Sequence, residues 1–267
     1  QLPCIGVGNI LRDLIETECV PTVTLKTCFR QSQTSSIVRF ATSVIGQSDP
    51  GMAVSILGDS IMDDISFCCI DETNDELILN ISDIVANLMY YHGISANKIQ
   101  VLSPTKDCAG KLNIVLRNLL NFSVNGQALA DADSLLPGDR VIYCKNDYAR
   151  NLFNGTEGIV KDTGSQYVTV EYANHHFVRH DITEVTAKTL VLSYALTIHK
   201  AQGSEYPIVI IPLCESMGNI LTRKLIYTAV TRAKKKCILV GSITALERAL
   251  RRPTEEMHYS RLKTMLI

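Results

Sequence analysis

The chain has 267 residues, 46% hydrophobic and 20% charged, which is apolar material for about two compact units and too much for a disordered chain. Lysine plus arginine number 26 against 27 acids, a formal net charge of -1, so a global basic field is excluded and any nucleic-acid contact must be local. No run of 18 apolar residues marks a membrane span, and nine scattered cysteines with no Cys-x-x-Cys pair fit a reducing, cytoplasmic setting better than a disulfide framework or a zinc site.

The chain opens at Gln1-Leu2-Pro3, without Met and in what reads as a loop, so it is expected to be part of a longer polypeptide. A predicted strand at 23–25 is followed by Phe29-Arg30-Gln31, which puts Arg30 at the carboxyl edge of a parallel strand, where open α/β sheets bind ligands. Ser36–Ile45 has helical spacing, and 65–70 is a short apolar strand. Thr73 with Glu76 forms a capping box before Leu77, Ile78, Ile81, Ile84, Val85, Leu88 and Met89, which keep a 3.6-residue period to a stop at Gly93. A strand at Ile99–Ser103 ends at Pro104, and Leu112, Val115, Leu116, Leu119 and Leu120 mark another amphipathic helix. Apolar strands alternating with helices predict an α/β fold, a parallel sheet covered on both faces.

From about Phe122 the pattern changes. Pro137-Gly138-Asp139 introduces a strand at 140–144, Asn154-Gly155 one at 157–162, Gly164 one at Tyr167–Tyr172, and Asn174 one at 176–180. Strands at roughly ten-residue spacing with turn residues between them predict a small inserted barrel. His175, His176 and His180 lie within it and read as ordinary strand residues. The strand and helix rhythm resumes after Val185, with buried strands at 190–193 and 208–212, a helix at 219–233, a strand at 237–241 and a helix at 245–250.

Two polar stretches carry chemistry. Residues 197–207 form a turn at a strand edge, in which Gly203 lets backbone N–H groups approach a phosphate, Thr197, His199 and Lys200 supply donors, and Glu205 supplies an acceptor for a sugar hydroxyl. Residues 227–234 carry Arg232, whose planar fork suits phosphate oxygens. Charge is also segregated. No lysine or arginine falls between Arg39 and Lys98, a span rich in acids, whereas Arg223, Lys224, Arg232, Lys234, Lys235 and Lys236 fall where there is no acid. The second group predicts a local positive surface.

Taken in order, residues 1–11, 25–31, 101–106, 197–207 and 227–234 resemble the motor core of the RecD-like branch of superfamily-one helicases, the exodeoxyribonuclease V alpha-chain-like family. They correspond to the end of that family's third motif, its fourth motif, a recurrent segment of the branch, and its fifth and sixth motifs. The resemblance implies the end of a first RecA-like domain at 1–20, and a second RecA-like domain at 21–122 and 188–267 with an SH3-like barrel inserted at 123–187. It implies an ATP-dependent 5′ to 3′ translocase or helicase on single-stranded DNA. Gln1 would sense the γ-phosphate, Arg30 and Arg232 would neutralise charge developing on it, and Gln202, Gly203 and Glu205 would line the nucleotide cleft. Thr105, Lys106, Thr197, His199 and Lys200 would hold the DNA backbone.

The phosphate loop and the acids that hold Mg2+ are expected in an N-terminal motor domain in cis, so this chain alone is expected not to hydrolyse ATP. Nuclease or single-stranded-DNA-binding proteins are the implied partners, and no membrane is. Two other readings stay open on the residues alone: a non-catalytic RecA-like module that recruits a protein through the barrel, and a subunit of a nuclease complex.

Overall fold

The computed structural model describes residues 10–23, 35–46, 49–70, 74–121 and 134–252, with 262 and 265. The first half holds α1 (Ile10–Glu16), α2 (Ser36–Ile45), α3 (Pro50–Val54), β1 (Ile65–Cys69), α4 (Asn74–Tyr90), β2 (Ile99–Ser103) and α5 (Lys106–Leu120). Then come β3 (Arg140–Tyr143), β4 (Thr156–Thr163), β5 (Tyr167–Tyr172), β6 (His176–Asp181), α6 (Ile182–Thr186) and β7 (Leu190–Leu192). The chain continues through β8 (Ala195–Thr197), β9 (Tyr206–Leu213), α7 (Arg223–Val230), β10 (Ala233–Gly241) and α8 (Ile243–Arg251). The predicted strand at 23–25, the Thr73 cap, Gln1 and Arg30 lie outside the described residues in whole or in part.

Five strands form a parallel sheet in the order β1-β10-β9-β2-β8. The central strand β9 is apolar along almost its whole length and buried on both faces, as a parallel strand covered by helices must be. Helices α4 and α5 pack on one side of the sheet, and α2, α7 and α8 on the other. The periodicity read in α4 is realised, with Leu77, Ile78, Ile81, Val85 and Leu88 buried. Helix α2 starts where Ser35 accepts from the Ile37 amide at 3.2 Å and ends where the Gly46 amide bonds the Thr42 carbonyl.

The second sheet is antiparallel, in the order β6-β5-β4-β3-β7. It lies between α5 and β8 in the chain and so interrupts the parallel sheet. Two expectations need correction here. Residues 190–193 do not resume the parallel sheet: β7 pairs antiparallel with β3, and the return is made by the short strand β8, so the antiparallel unit extends past 187 to Leu192. The expected helix at 219–233 is a 3-10 turn (Glu215–Ile220) followed by the shorter α7, and Ala233 already belongs to β10.

Strand β8 is an edge, and edges expose unpaired backbone groups. Asn113 of α5 closes this one with its side-chain amide, donating from Nδ2 to the Ala195 carbonyl and accepting at Oδ1 from the Ala195 N–H, both at 2.8 Å.

Candidate nucleotide and nucleic-acid interface

The expected site residues that the structure describes fall at two ends of the parallel sheet. Thr197 is level with Ser103, while Ile210 is level with Val101 and hence with Ala195, so Thr197 and Tyr206 stand about six strand positions, roughly 20 Å, apart along the sheet. The segment 198–205 runs between these levels.

At the carboxyl edge, the Ile198 amide donates to the Ser103 carbonyl at 3.0 Å, tying the ends of β8 and β2 together. Thr105 caps α5, its hydroxyl accepting from the Cys108 amide at 3.2 Å, which leaves the positive end of the helix at Lys106. Thr197 is buried, and its hydroxyl accepts from the Lys200 amide at 3.4 Å. Lys200 Nζ in turn donates to Cys144 Sγ at 3.2 Å, beside the end of β3. A cleft of about 500 Å³ opens here between α5 and β8 on one side and the antiparallel unit on the other. Lys106, Lys188 and Lys200 line it together with Asn113 and Thr197, and no acid is among its lining residues that the structure describes. His199 is exposed on the adjoining turn and does not line the cleft.

At the amino edge the sequence places Gln202, Gly203 and Glu205 in one loop, and the structure brings Arg232 to it. Gly203 has φ +94, with open space where a side chain would stand, so the backbone there is accessible to a ligand. Gln202 is exposed. Arg232 lies in the turn between α7 and β10, not on the helix, and its guanidinium is buried. Its Nε donates to the Thr228 carbonyl at 3.1 Å, Nη1 to the Ser204 carbonyl at 3.2 Å, and Nη2 to the Thr231 hydroxyl at 3.2 Å. Glu205 pairs with Lys234 at 3.0 Å.

The predicted positive surface is dispersed. Arg223 and Arg232 are buried, Lys234 is paired with Glu205, and Lys236 Nζ donates to the Asp63 carbonyl at 2.6 Å. The lysines of the cleft come instead from three separate segments, which is why no charge run in the sequence announces them. Nothing local in the sequence marks Asn113 or Lys188 as site residues. His180, buried in the antiparallel unit, shares hydrogen bonds with Glu184 Oε2 at Nδ1 (3.1 Å) and with the Tyr172 hydroxyl at Nε2 (2.8 Å).

Comparison with known proteins agrees with the resemblance. The UvrD-like helicase C-terminal domain matches residues 192–240. The chain is 30% identical over 265 residues to the ATP-dependent RecD2 DNA helicase of Deinococcus radiodurans, covering 96% of this chain and 33% of that protein. It is 35% identical over 115 residues to the RecBCD enzyme subunit RecD of Mycolicibacterium smegmatis, covering 43% of this chain and 20% of that subunit. The chain therefore spans about a third of RecD2 and matches a fifth of RecD. Among solved structures, the Pif1 helicase from Bacteroides in complex with ADP-AlF3 and ssDNA superposes with a TM-score of 0.52 at 17% identity, covering 84% of this chain and 53% of that one. At that identity the likeness is one of fold.

Proposed function

We infer that this chain, similar over nearly its whole length to the RecD-like superfamily-one helicases, is the second motor half of an ATP-dependent translocase that moves 5′ to 3′ on single-stranded DNA. The observation that carries this reading is the cleft lined by Lys106, Lys188 and Lys200, set about 20 Å along the sheet from the loop that holds Arg232. Two sites at opposite ends of one rigid sheet are what a motor needs to convert closure at one end into a step at the other.

In this reading Lys106 and Lys200 meet phosphate charges, and the Thr105 and Thr197 segments with His199 fix the backbone register. Such contacts carry no base identity, so binding is sequence-tolerant and salt-sensitive. At the other end, Gln202, Gly203 and Glu205 form half of a nucleotide cleft, and the open backbone at Gly203 fits that use. Binding of ATP with Mg2+ would supply the free energy for closure. Arg232, with Arg30, presents a cation to the phosphate, and Gln1 reports its presence to the rest of the motor. The phosphate loop and the Mg2+ ligands belong to a first motor domain in cis, so this half alone does not hydrolyse ATP.

We read the inserted antiparallel sheet as an SH3-like barrel bordering the path of the strand, and the whole protein as cytoplasmic. Among the described residues no helix is long and apolar enough to cross a membrane.

The direct test is binding of a labelled oligothymidylate to this chain across a salt series. The reading expects Lys106→Ala and Lys200→Ala each to weaken binding and to reduce the slope of log K against log salt by about 0.7, one phosphate contact apiece. An unchanged slope in both variants would contradict it.

A further inference from the structure

The antiparallel unit touches the parallel sheet at a second place, a polar seam away from the lysine cleft. Tyr206 opens β9, directly after the 202–205 loop. Its backbone N–H donates to the Arg232 carbonyl at 2.9 Å, while Arg232 Nη1 returns to the Ser204 carbonyl at 3.2 Å, so loop, Tyr206 and Arg232 are laced into one unit. The Tyr206 ring is buried and leads across to the antiparallel unit, where its hydroxyl donates to Glu157 Oε1 at 2.8 Å. Burial, with the Glu157 charge beside it, pushes the phenol pKa up, so the hydroxyl stays a donor at neutral pH.

Both ends of this contact are stiff. Glu157 stands on β4 opposite Ile142 of β3, and its neighbour Gly158 lies so close to β5 that a Cβ there would meet Val170 Cγ1 at 2.5 Å. Arg140, at the start of β3, anchors the seam to β2 by donating from Nη2 to Gln100 Oε1 at 2.7 Å and from Nη1 to the Ile99 carbonyl at 3.1 Å. Strand β3 lies between β4 and β7, and β7 with Lys188 walls the lysine cleft. One small sheet therefore has the cleft at one side and the Arg232 loop at the other.

We propose that Tyr206 and Glu157 are positioning residues: their hydrogen bond is the strut through which the inserted sheet, displaced when single-stranded DNA fills the cleft, sets the 202–205 loop and Arg232 for ATP hydrolysis. This rests on the motor reading above. Neither residue touches nucleotide or DNA; the bond acts through the backbone that it holds.

The test is ATP hydrolysis by the full-length polypeptide, with and without oligothymidylate, beside direct binding of the same oligonucleotide. The strut predicts that Tyr206→Phe and Glu157→Ala each lower the ratio of stimulated to unstimulated rate by about fivefold or more, the scale of ordinary coupling free energies, with oligonucleotide affinity retained. Glu157→Gln, whose amide oxygen still accepts, keeps most of the stimulation, and the double variant Tyr206→Phe/Glu157→Ala is no worse than the poorer single one. A parental ratio in Tyr206→Phe, or additive losses in the double variant, overturns the strut while leaving the motor reading intact. A parental full-length protein with no stimulation at all overturns the motor reading, and the strut with it.

Discussion

Asp139 has no exposed surface, yet both of its oxygens are fully engaged. Oδ1 accepts from Arg117 Nε at 3.1 Å, Asn121 Nδ2 at 2.8 Å and the Tyr194 hydroxyl at 3.2 Å; Oδ2 accepts from the Leu136 amide at 2.8 Å and pairs with Arg117 Nη2 at 2.9 Å. These partners come from α5, from the turn that opens the inserted unit and from the residue before β8, so one carboxylate holds the junction of the two sheets. Removing one member of such a buried pair strands the other in an apolar setting. Asp139→Ala is expected to cost about 3 to 5 kcal/mol in urea unfolding, and a loss below about 1 kcal/mol would contradict the account. Of this junction the sequence shows only the Pro137-Gly138-Asp139 turn. Arg117 falls on the apolar stripe of α5, where nothing says that its partner is 22 positions away. Tyr206 and Glu157, 49 apart, are hidden for the same reason: a side-chain contact between sheets leaves no periodic trace in either strand.

At the scale of elements, the inserted unit carries its own polar cluster and with it a pH dependence. Arg150 grips Glu184 with Nη1 at 2.8 Å and Nη2 at 3.0 Å, and also Asp147 at 2.6 Å and the Tyr143 hydroxyl at 2.9 Å. Burial alone would raise the Glu184 pKa, but hydrogen bonds from Arg150 and His180 outweigh it and bring it down to about 2. His180 moves downward as well, because burial penalises its cation more than Glu184 favours it. Both groups bind fewer protons folded than unfolded over these intervals, so both lose stability as acid is added. The histidine contribution falls away below its ordinary 6.5, and that of Glu184 between the ordinary 4.5 and about 2. The melting temperature should therefore decline in two stages on acidification, and Glu184→Gln should flatten the lower stage; a lower stage unchanged in that variant would show that Arg150 and His180 do not hold Glu184 ionised.

Elements were legible in the sequence where periodicity alone decides them. Helix α2 has the bounds its spacing predicts, and α4 buries Leu77, Ile78, Ile81, Val85 and Leu88 of its predicted stripe, with Ile84 and Met89 partly buried against the core. The sequence of β7 does not show which sheet it joins, because three apolar residues look the same in a parallel and an antiparallel ladder, and β8, equally short, is hidden inside a polar motif. The helix ends at Val230 although Thr-Arg-Ala-Lys contains no breaker, so the turn that carries Arg232 has no local signal.

For the molecule as a whole, the described site residues of the proposed motor half divide between the two ends of the parallel sheet. Thr105, Lys106, Thr197 and Lys200 gather at the carboxyl edge beside the lysine-lined cleft, whereas Gln202, Gly203, Glu205 and Arg232 gather toward the amino edge. The ordered polar motifs made this division legible in outline, but the cleft itself is made by the fold, from lysines that the sequence scatters over three segments. The near-zero net charge is consistent with a local grip rather than a steering field.

The central claim is that Arg232 belongs to the hydrolytic site of a DNA-driven motor. It is tested most directly by ATP hydrolysis of the full-length polypeptide with and without single-stranded DNA, beside Arg232→Ala and Arg232→Lys, with melting curves to confirm that each variant is folded. The account predicts strong stimulation by DNA in the parent and a fall of about a thousandfold or more in the folded variants, lysine failing because it lacks the planar fork. Stimulated hydrolysis at the parental rate in either folded variant would contradict it.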